Sequence, residues 1–339
     1  MSRTIRFHHF GSADVLKCEE HTLRLPAANE VRVRVEAIGV SWDDVLWRQD
    51  LGNGKARLPA GLGSEMAGIV EAVGARVSDL QVGDRVASFQ AVSANDYPAY
   101  GDLVIQPRTA LTRYPDNLSP AQASVHYNPL LLAWFAMVEL ARVQHGQSIL
   151  VTEAALSPNM AFVKLGKALG LRVIAATRNP EDRQYLLDHG AAQVIVTDEQ
   201  DLGMRIDKLT DGHGVEAIFD GLGGPQMSLL GDVLAPRGSL VLYGLRGGNY
   251  TPFPAIQAFK KNIRFFVHCL CNFTGKPEFD IGQDGEAVQR ALQAINRLTL
   301  EHPLASDIDR TFSLEHAARA HDYLEHQPGH GRVILKPAH

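Results

Sequence analysis

Ser148-Ile-Leu-Val-Thr-Glu-Ala-Ala-Leu-Ser-Pro-Asn-Met-Ala-Phe-Val-Lys-Leu-Gly-Lys-Ala-Leu-Gly-Leu-Arg-Val-Ile-Ala-Ala-Thr-Arg178 opens on one apolar run and closes on another. Between the runs Phe162, Leu165, Gly166 and Leu169 recur at i, i+3, i+4 and i+7, one face of a helix. Strand, helix and strand in this order form a crossover unit, which joins parallel strands. Four further apolar runs follow: Gln193–Val196, Ala217–Phe219, Ser239–Tyr243 and Arg264–His268. Continuous apolar strands separated by helices imply a parallel sheet covered on both faces. A six-stranded, doubly wound α/β domain is expected over residues 125–271.

Residues 1–124 have a different rhythm. Glu30-Val-Arg-Val-Arg-Val-Glu36 alternates strictly, the pattern of a strand with one wet face. Gly68–Gly74 reads as a second strand, and Val82-Gly-Asp-Arg-Val86 as a turn feeding a third. Short strands punctuated by glycine predict a barrel-like β domain. The tail, 272–339, holds a helix over Leu314–Glu325 and a strand over Arg332–Leu335, and is expected to return to that first domain.

The chain has 339 residues, 33 Lys and Arg, 38 Asp and Glu, and a formal net charge of −5. Without a basic excess, a dedicated nucleic-acid partner is disfavoured. Hydrophobic residues make up 45%, enough for a real core. Met1 to Glu20 carries no apolar run, and Leu130–Val138 is too short to span a bilayer, so no membrane association is expected. Three cysteines (Cys18, Cys269, Cys271) are too few for a disulfide framework, which points to a reducing compartment or to indifference to redox; a cytoplasmic setting is expected.

At the end of the first parallel strand, a helix N-terminus is suited to a pyrophosphate. Here the turn is Thr152-Glu-Ala-Ala-Leu-Ser-Pro-Asn159, in which Ser157 suits an N-cap and Pro158 the first helical position. The loop has no glycine, and an ordinary βα turn explains it equally. After the second strand come Thr177 and Arg178, with Arg183 five residues on. A cation there pairs with a 2′-phosphate where an acid would hold a ribose hydroxyl, which favours NADPH. The competing reading is that the arginines solvate a helix start.

Gly39-Val-Ser-Trp-Asp-Asp44, Leu62-Gly-Ser-Glu-Met-Ala-Gly-Ile-Val-Glu-Ala-Val-Gly74 and Val82–Val86 resemble signatures of the medium-chain dehydrogenase/reductase superfamily. Lys164–Gly170, Phe219-Asp-Gly-Leu-Gly-Gly224 and Gly331–Leu335 continue the resemblance over nearly the whole chain. It implies a GroES-like β-rich catalytic domain (1–124 and 272–339), a six-stranded Rossmann domain (125–271) and an active site in the cleft between them. Zinc-dependent members place Cys and His where this chain has Ser41 and Ser64, and neither hydroxyl is a useful Zn²⁺ ligand. No zinc is therefore expected. Cys269 and Cys271 share one side of an expected strand, where packing is the reading.

What remains resembles the zinc-independent quinone oxidoreductase branch, which implies NADPH-dependent hydride transfer to a quinone or an α,β-unsaturated carbonyl. Conjugation already makes such acceptors electrophilic, so orientation and modest hydrogen bonding suffice. The chain departs from the branch at Ser41, Leu46, Leu132 and Leu156–Asn159. The alternatives are a non-enzymatic relative that has lost its cofactor and, more remotely, a zinc-type alcohol dehydrogenase.

Candidate catalytic residues are Ser41, Asp44, Tyr127 and Asn128. Asp44 with Arg48 equally fits an i, i+4 ion pair, and Asn128 a helix cap. Candidates for the cofactor are Ser157, Pro158, Asn159, Thr177, Arg178, Arg183, Gly221, Gly223, Tyr243, Gly244, Leu270 and Asn272. Trp42, Trp47, Ser64, Phe89, Tyr97 and Tyr100 are candidates for a flat substrate, with core packing as the alternative for each aromatic ring. The resemblance also implies a homodimer, formed at the edge of the parallel sheet.

Overall fold

In the computed structural model, which describes residues 2–52, 54–326 and 329–338, the chain opens with an antiparallel pair, β1 (Ser2–Arg6) and β2 (Lys17–His21). The alternating segment becomes β3 (Glu30–Val40), which turns Val31, Val33 and Val35 wholly inward, while Arg32 reaches Glu71 at 2.7 Å. A short helix, α1 (Trp42–Arg48), precedes β4 (Met66–Val73), β5 (Arg85–Ser88), β6 (Leu103–Pro107) and β7 (Leu111–Arg113). Helices α2 (Pro120–Ser124) and α3 (Tyr127–Trp134) follow.

The chain then divides into two units. One holds everything up to Asn128, Phe273–Leu300 and the chain from Ala305 on; the other holds Pro129–Asn272 and Glu301–Leu304.

The second unit is built on β8 (Ser148–Val151), β9 (Arg172–Thr177), β10 (Gln193–Val196), β11 (Val215–Asp220), β12 (Leu234–Leu242) and β13 (Arg264–Val267). All pair in parallel, in the order β10-β9-β8-β11-β12-β13. The order reverses direction beside β8, the doubly wound arrangement whose strand ends leave a crevice for a ligand. Helices α4 (Met160–Ala168), α5 (Asp182–Asp188), α6 (Leu202–Leu209), α7 (Met227–Val233) and α8 (Ala255–Lys261) connect the strands. Leu150, Ile174, Ile195, Ile218 and Leu240 bury the sheet against Ile206 and Leu230.

Two sequence expectations fail here. Helix α4 starts at Met160, so Ser157 is no N-cap and Pro158 is not its first residue. The reason is Asn159, whose side-chain amide donates to the carbonyls of Thr152 (3.1 Å) and Glu153 (3.0 Å) and folds the loop back on the strand end. Strand β13 stops at Val267, so Cys269 and Cys271 share no strand face; Cys271 instead begins α9 (Cys271–Thr274).

The remaining chain contributes α10 (Gly285–Glu301), β14 (Ile308–Ser313), α11 (Ala317–His326) and β15 (Arg332–Lys336). The last strand pairs antiparallel with β3, completing the first unit's sheet in the order β14-β15-β3-β4-β5-β7, with β6 also on β3. The expected helix from Leu314 begins instead as one 3₁₀ turn, Leu314–His316. Ile5, Phe7, Val33, Met66, Val86, Leu314 and Val333 share one core.

Candidate functional site

In the second unit the carboxyl ends of β8, β9, β11 and β12 converge on a few loops. Thr152, just past β8, donates its hydroxyl to Asp220 Oδ1 at 2.5 Å. Asp220 also accepts the amides of Leu222 (3.2 Å) and Gly223 (3.1 Å), which winds the chain into a turn with Gly223 and Gly224 at φ of +62° and +78°. Burial pushes the Asp220 carboxyl up, and these donors hold it down in part. Glycine is also required at Gly244, where a Cβ would lie 2.3 Å from the Gly221 carbonyl oxygen. The glycines thus let two loops approach one another.

Tyr243 stacks on Phe162 with centroids 4.4 Å apart, and its buried hydroxyl has no hydrogen-bond partner among the described residues. Burial raises that phenol well above its ordinary range. In the loop before α4, the amides of Ala155, Ser157 and Asn159 likewise have no partner among the described residues. Amides without a partner in a loop before a helix are of the kind that can bind an anion. Pro158 has none to offer, and the Asn159 side chain is spent on Thr152 and Glu153.

At the end of β9 the expected pair separates. Thr177 is buried and donates to Asp182 Oδ2 at 2.5 Å, so it faces inward. Arg178 is 65% exposed and donates through Nε to Glu153 Oε1 at 3.2 Å. Arg183 turns elsewhere, to the Val194 carbonyl and Glu199, both at 3.4 Å. Leu270 is buried, and Asn272 donates to the Val267 carbonyl, a local turn contact. Glu153 was missed from the sequence. The signal lay in an acid inside a phosphate-loop position, opposite the cation Arg178.

In the first unit, Ser41 caps α1 in a reciprocal box with Asp44. The Asp44 amide donates to Ser41 Oγ, and the Ser41 amide and hydroxyl donate to Asp44 Oδ2, both at 2.9 Å. Tyr100 adds its hydroxyl at 3.1 Å. Even with these donors, burial pushes the Asp44 carboxyl up to about 7, with the charges of Glu65 and Asp43 adding to it. Arg48 makes no i, i+4 pair. It is fully buried and donates to the Gly11 carbonyl, to His321 Nδ1 and to Glu325. Burial, then the Arg48 charge, push His321 down to about 3. Ser41 and Asp44 are therefore occupied in holding α1.

The aromatic candidates do not assemble into one lining. Phe89 and Tyr100 are core residues, 2% and 0% exposed. Tyr97 donates to Glu30, and Trp47 packs on the core and donates to the Gly61 carbonyl at 3.0 Å. Trp42 and Tyr97 are both partly exposed and belong to no part of that core. Tyr127 is buried, its hydroxyl donating to Asn296 Oδ1 at 2.7 Å, so it is not available to polarise a carbonyl.

One pair does come together. Asn128 lies within α3 rather than capping it; its Oδ1 accepts the Gln90 amide at 2.7 Å and its Nδ2 donates to Ser64 Oγ at 3.1 Å. Ser88 fixes the Ser64 backbone by donating to its carbonyl at 2.8 Å. With Ser64 Oγ accepting from Asn128, the Ser64 O–H remains as a donor. Beside it, Glu65 forms a buried ion pair with Arg332, whose partner was not legible in the sequence. Among the described residues no group of three or more His, Cys, Asp or Glu side chains is placed to hold a metal ion, and no helix is long and apolar enough to cross a membrane.

Comparison with known proteins now adds to this geometry. Residues 27–104 match the alcohol dehydrogenase GroES-like domain family, and residues 160–280 the zinc-binding dehydrogenase family. A quinone oxidoreductase of Pseudomonas aeruginosa is 30% identical, aligned over 99% of this chain and all of its own. Quinone oxidoreductase 1 of Escherichia coli is 27% identical over 99% of this chain and all of its own. The crystal structure of Escherichia coli quinone oxidoreductase complexed with NADPH superposes with a TM-score of 0.86 at 27% identity, covering 99% of this chain and all of that one. The chain belongs to the medium-chain dehydrogenase/reductase superfamily, as an oxidoreductase of its quinone oxidoreductase-like branch.

Proposed function

We propose that this enzyme transfers hydride from NADPH to a quinone or an α,β-unsaturated carbonyl without a metal. The observation that carries the reading is Arg178, an exposed guanidinium at the carboxyl end of the second parallel strand, where an adenosine 2′-phosphate is recognised in this fold. The donor set of the second unit fits such a coenzyme. The amides of Ala155, Ser157 and Asn159 suit the pyrophosphate, Arg178 the 2′-phosphate, and the unpartnered Tyr243 hydroxyl a polar group near Gly221. When bound, the nicotinamide supplies the hydride. The solved Escherichia coli relative described as complexed with NADPH supports this assignment.

For the acceptor, the Ser64 O–H, oriented by Asn128, is the group we assign to the substrate oxygen. A hydrogen bond there stabilises charge as it develops on that oxygen. Ser41 and Ser64 are hydroxyls engaged with Asp44 and Asn128, which supports a site without zinc. The quinone oxidoreductases of Pseudomonas aeruginosa and Escherichia coli support a quinone as substrate.

The test is NADPH oxidation followed against a panel of quinones and enones, with elemental analysis of the purified enzyme. Turnover of a conjugated acceptor by metal-free protein is expected. Stoichiometric zinc would remove the metal-free mechanism, and preference for NADH would remove the role of Arg178.

A further inference from the structure

Glu153 occupies an unusual place. It is the second residue past β8, its φ of +43° lies in the left-handed region that favours glycine, and its side chain is only 14% exposed. Such a conformation is uncommon for a residue other than glycine. Its backbone carbonyl is fixed by the Asn159 amide at 3.0 Å. Its carboxylate reaches across to Arg178 Nε at 3.2 Å, while Asp182 and Asp198 lie close enough to oppose its charge. An acid in a loop that meets a pyrophosphate is unfavourable unless something offsets it. Arg178 does.

The consequence for Arg178 is geometric. A 65% exposed arginine on its own samples many rotamers, and ordering it on a ligand costs side-chain entropy. With Nε held by Glu153, the opposite edge of the guanidinium is presented. The Arg178 terminal nitrogens make no hydrogen bond among the described residues. That edge matches two oxygens of a phosphate.

We propose that Glu153 is a positioning residue for coenzyme choice: by binding Arg178 Nε it aims the free edge of the guanidinium at a 2′-phosphate, so that discrimination between phosphorylated and unphosphorylated adenosine depends on both residues. The inference rests on the NADPH reading above. It extends that reading to a residue that touches no phosphate itself.

The test is calorimetric titration of the wild-type protein, Glu153→Gly and Glu153→Gln with adenosine 2′,5′-bisphosphate and with adenosine 5′-monophosphate. Glycine suits the left-handed backbone, so E153G keeps the loop while removing the carboxylate. Glutamine keeps an acceptor oxygen for Arg178 Nε. E153G is expected to weaken the bisphosphate about tenfold and leave the monophosphate within twofold, and E153Q to retain most of the wild-type affinity. Three results overturn the proposal: bisphosphate binding by E153G as tight as or tighter than wild type, equal weakening of both nucleotides, or E153Q failing as E153G does. If any of these occurs while the wild type prefers the bisphosphate and Arg178→Ala abolishes that preference, the NADPH reading stands. A wild type with no preference removes both.

Discussion

With Nε tied to Glu153 and its outer edge open, Arg178 has the role proposed above if it acts as a charge-assisted donor rather than as general surface charge. Replacing it by Ala is expected to weaken NADPH by about 1–3 kcal/mol and to leave NADH nearly unchanged, measured as dissociation constants by fluorescence titration. Arg183 provides the control: its partners are Val194 and Glu199, so Arg183→Ala should leave both coenzymes alone. A similar argument applies to Ser64, whose hydroxyl is aimed by Asn128. On the proposed assignment, Ser64→Ala removes one hydrogen bond from a neutral donor to the developing oxyanion, so kcat should fall about tenfold or more with KM for NADPH unchanged. Individual residues were the least legible scale in the sequence. Type and spacing pointed to Arg178 and Asn128, whose side chains meet Glu153 in the one case and Gln90 and Ser64 in the other. They could not show that Tyr127 spends its hydroxyl on Asn296 or that Thr177 turns inward, because both depend on elements distant in the chain or on the side a strand presents.

At the scale of elements, α1 is held to the rest of the first unit by an oriented chain of donors. The Arg48 Nε–H donates to His321 Nδ1, so the neutral imidazole carries its proton on Nε2, facing the Tyr100 hydroxyl at 3.3 Å; that hydroxyl in turn donates to Asp44. Asp44 titrates near 7 against an ordinary 3.8, and His321 near 3 against 6.5. Between about pH 4 and 6.5 the folded protein keeps a proton on Asp44 that the unfolded chain has lost, which makes stability fall as pH rises. Over the same window the unfolded chain protonates His321 and the folded protein does not, which makes stability rise with pH. The two slopes oppose. Asp44→Asn removes only the first, so relative to wild type its unfolding free energy should climb with pH by up to about 1.4 kcal/mol per unit between pH 4 and 6.5. Urea denaturation at several pH values checks this, and parallel curves would show that Asp44 is ionised throughout. Strand and helix periodicities were well expressed in the sequence: β10 is Gln193–Val196 as expected, and β9 runs one residue beyond the expected end. The start of α4 was misread because capping preferences place Ser157 and Pro158 at a helix start, whereas the Asn159 amide binds two strand-end carbonyls.

For the whole molecule, the six-stranded sheet leaves β13 at one end, paired only with β12. An uncovered edge offers a row of backbone donors and acceptors to another chain. The residues leading to it add apolar surface: Ile256 and Phe259 of α8 are 70% and 90% exposed, and Val267 of the strand is 69% exposed. Helix α8 buries none of its residues, an unusual state for a helix bearing two large apolar side chains. Exposed apolar surface beside an open strand edge is explained by a covering partner. We propose that this partner is a second copy of the same edge, paired antiparallel about a two-fold axis. Sedimentation velocity should therefore give twice the monomer mass at micromolar concentration. Replacing Phe259 and Val267 together by Asp should return the protein to monomer with its circular dichroism preserved, because neither side chain supports the core of its own chain. A wild type that sediments as a monomer across the concentration range would leave the β13 edge without that partner.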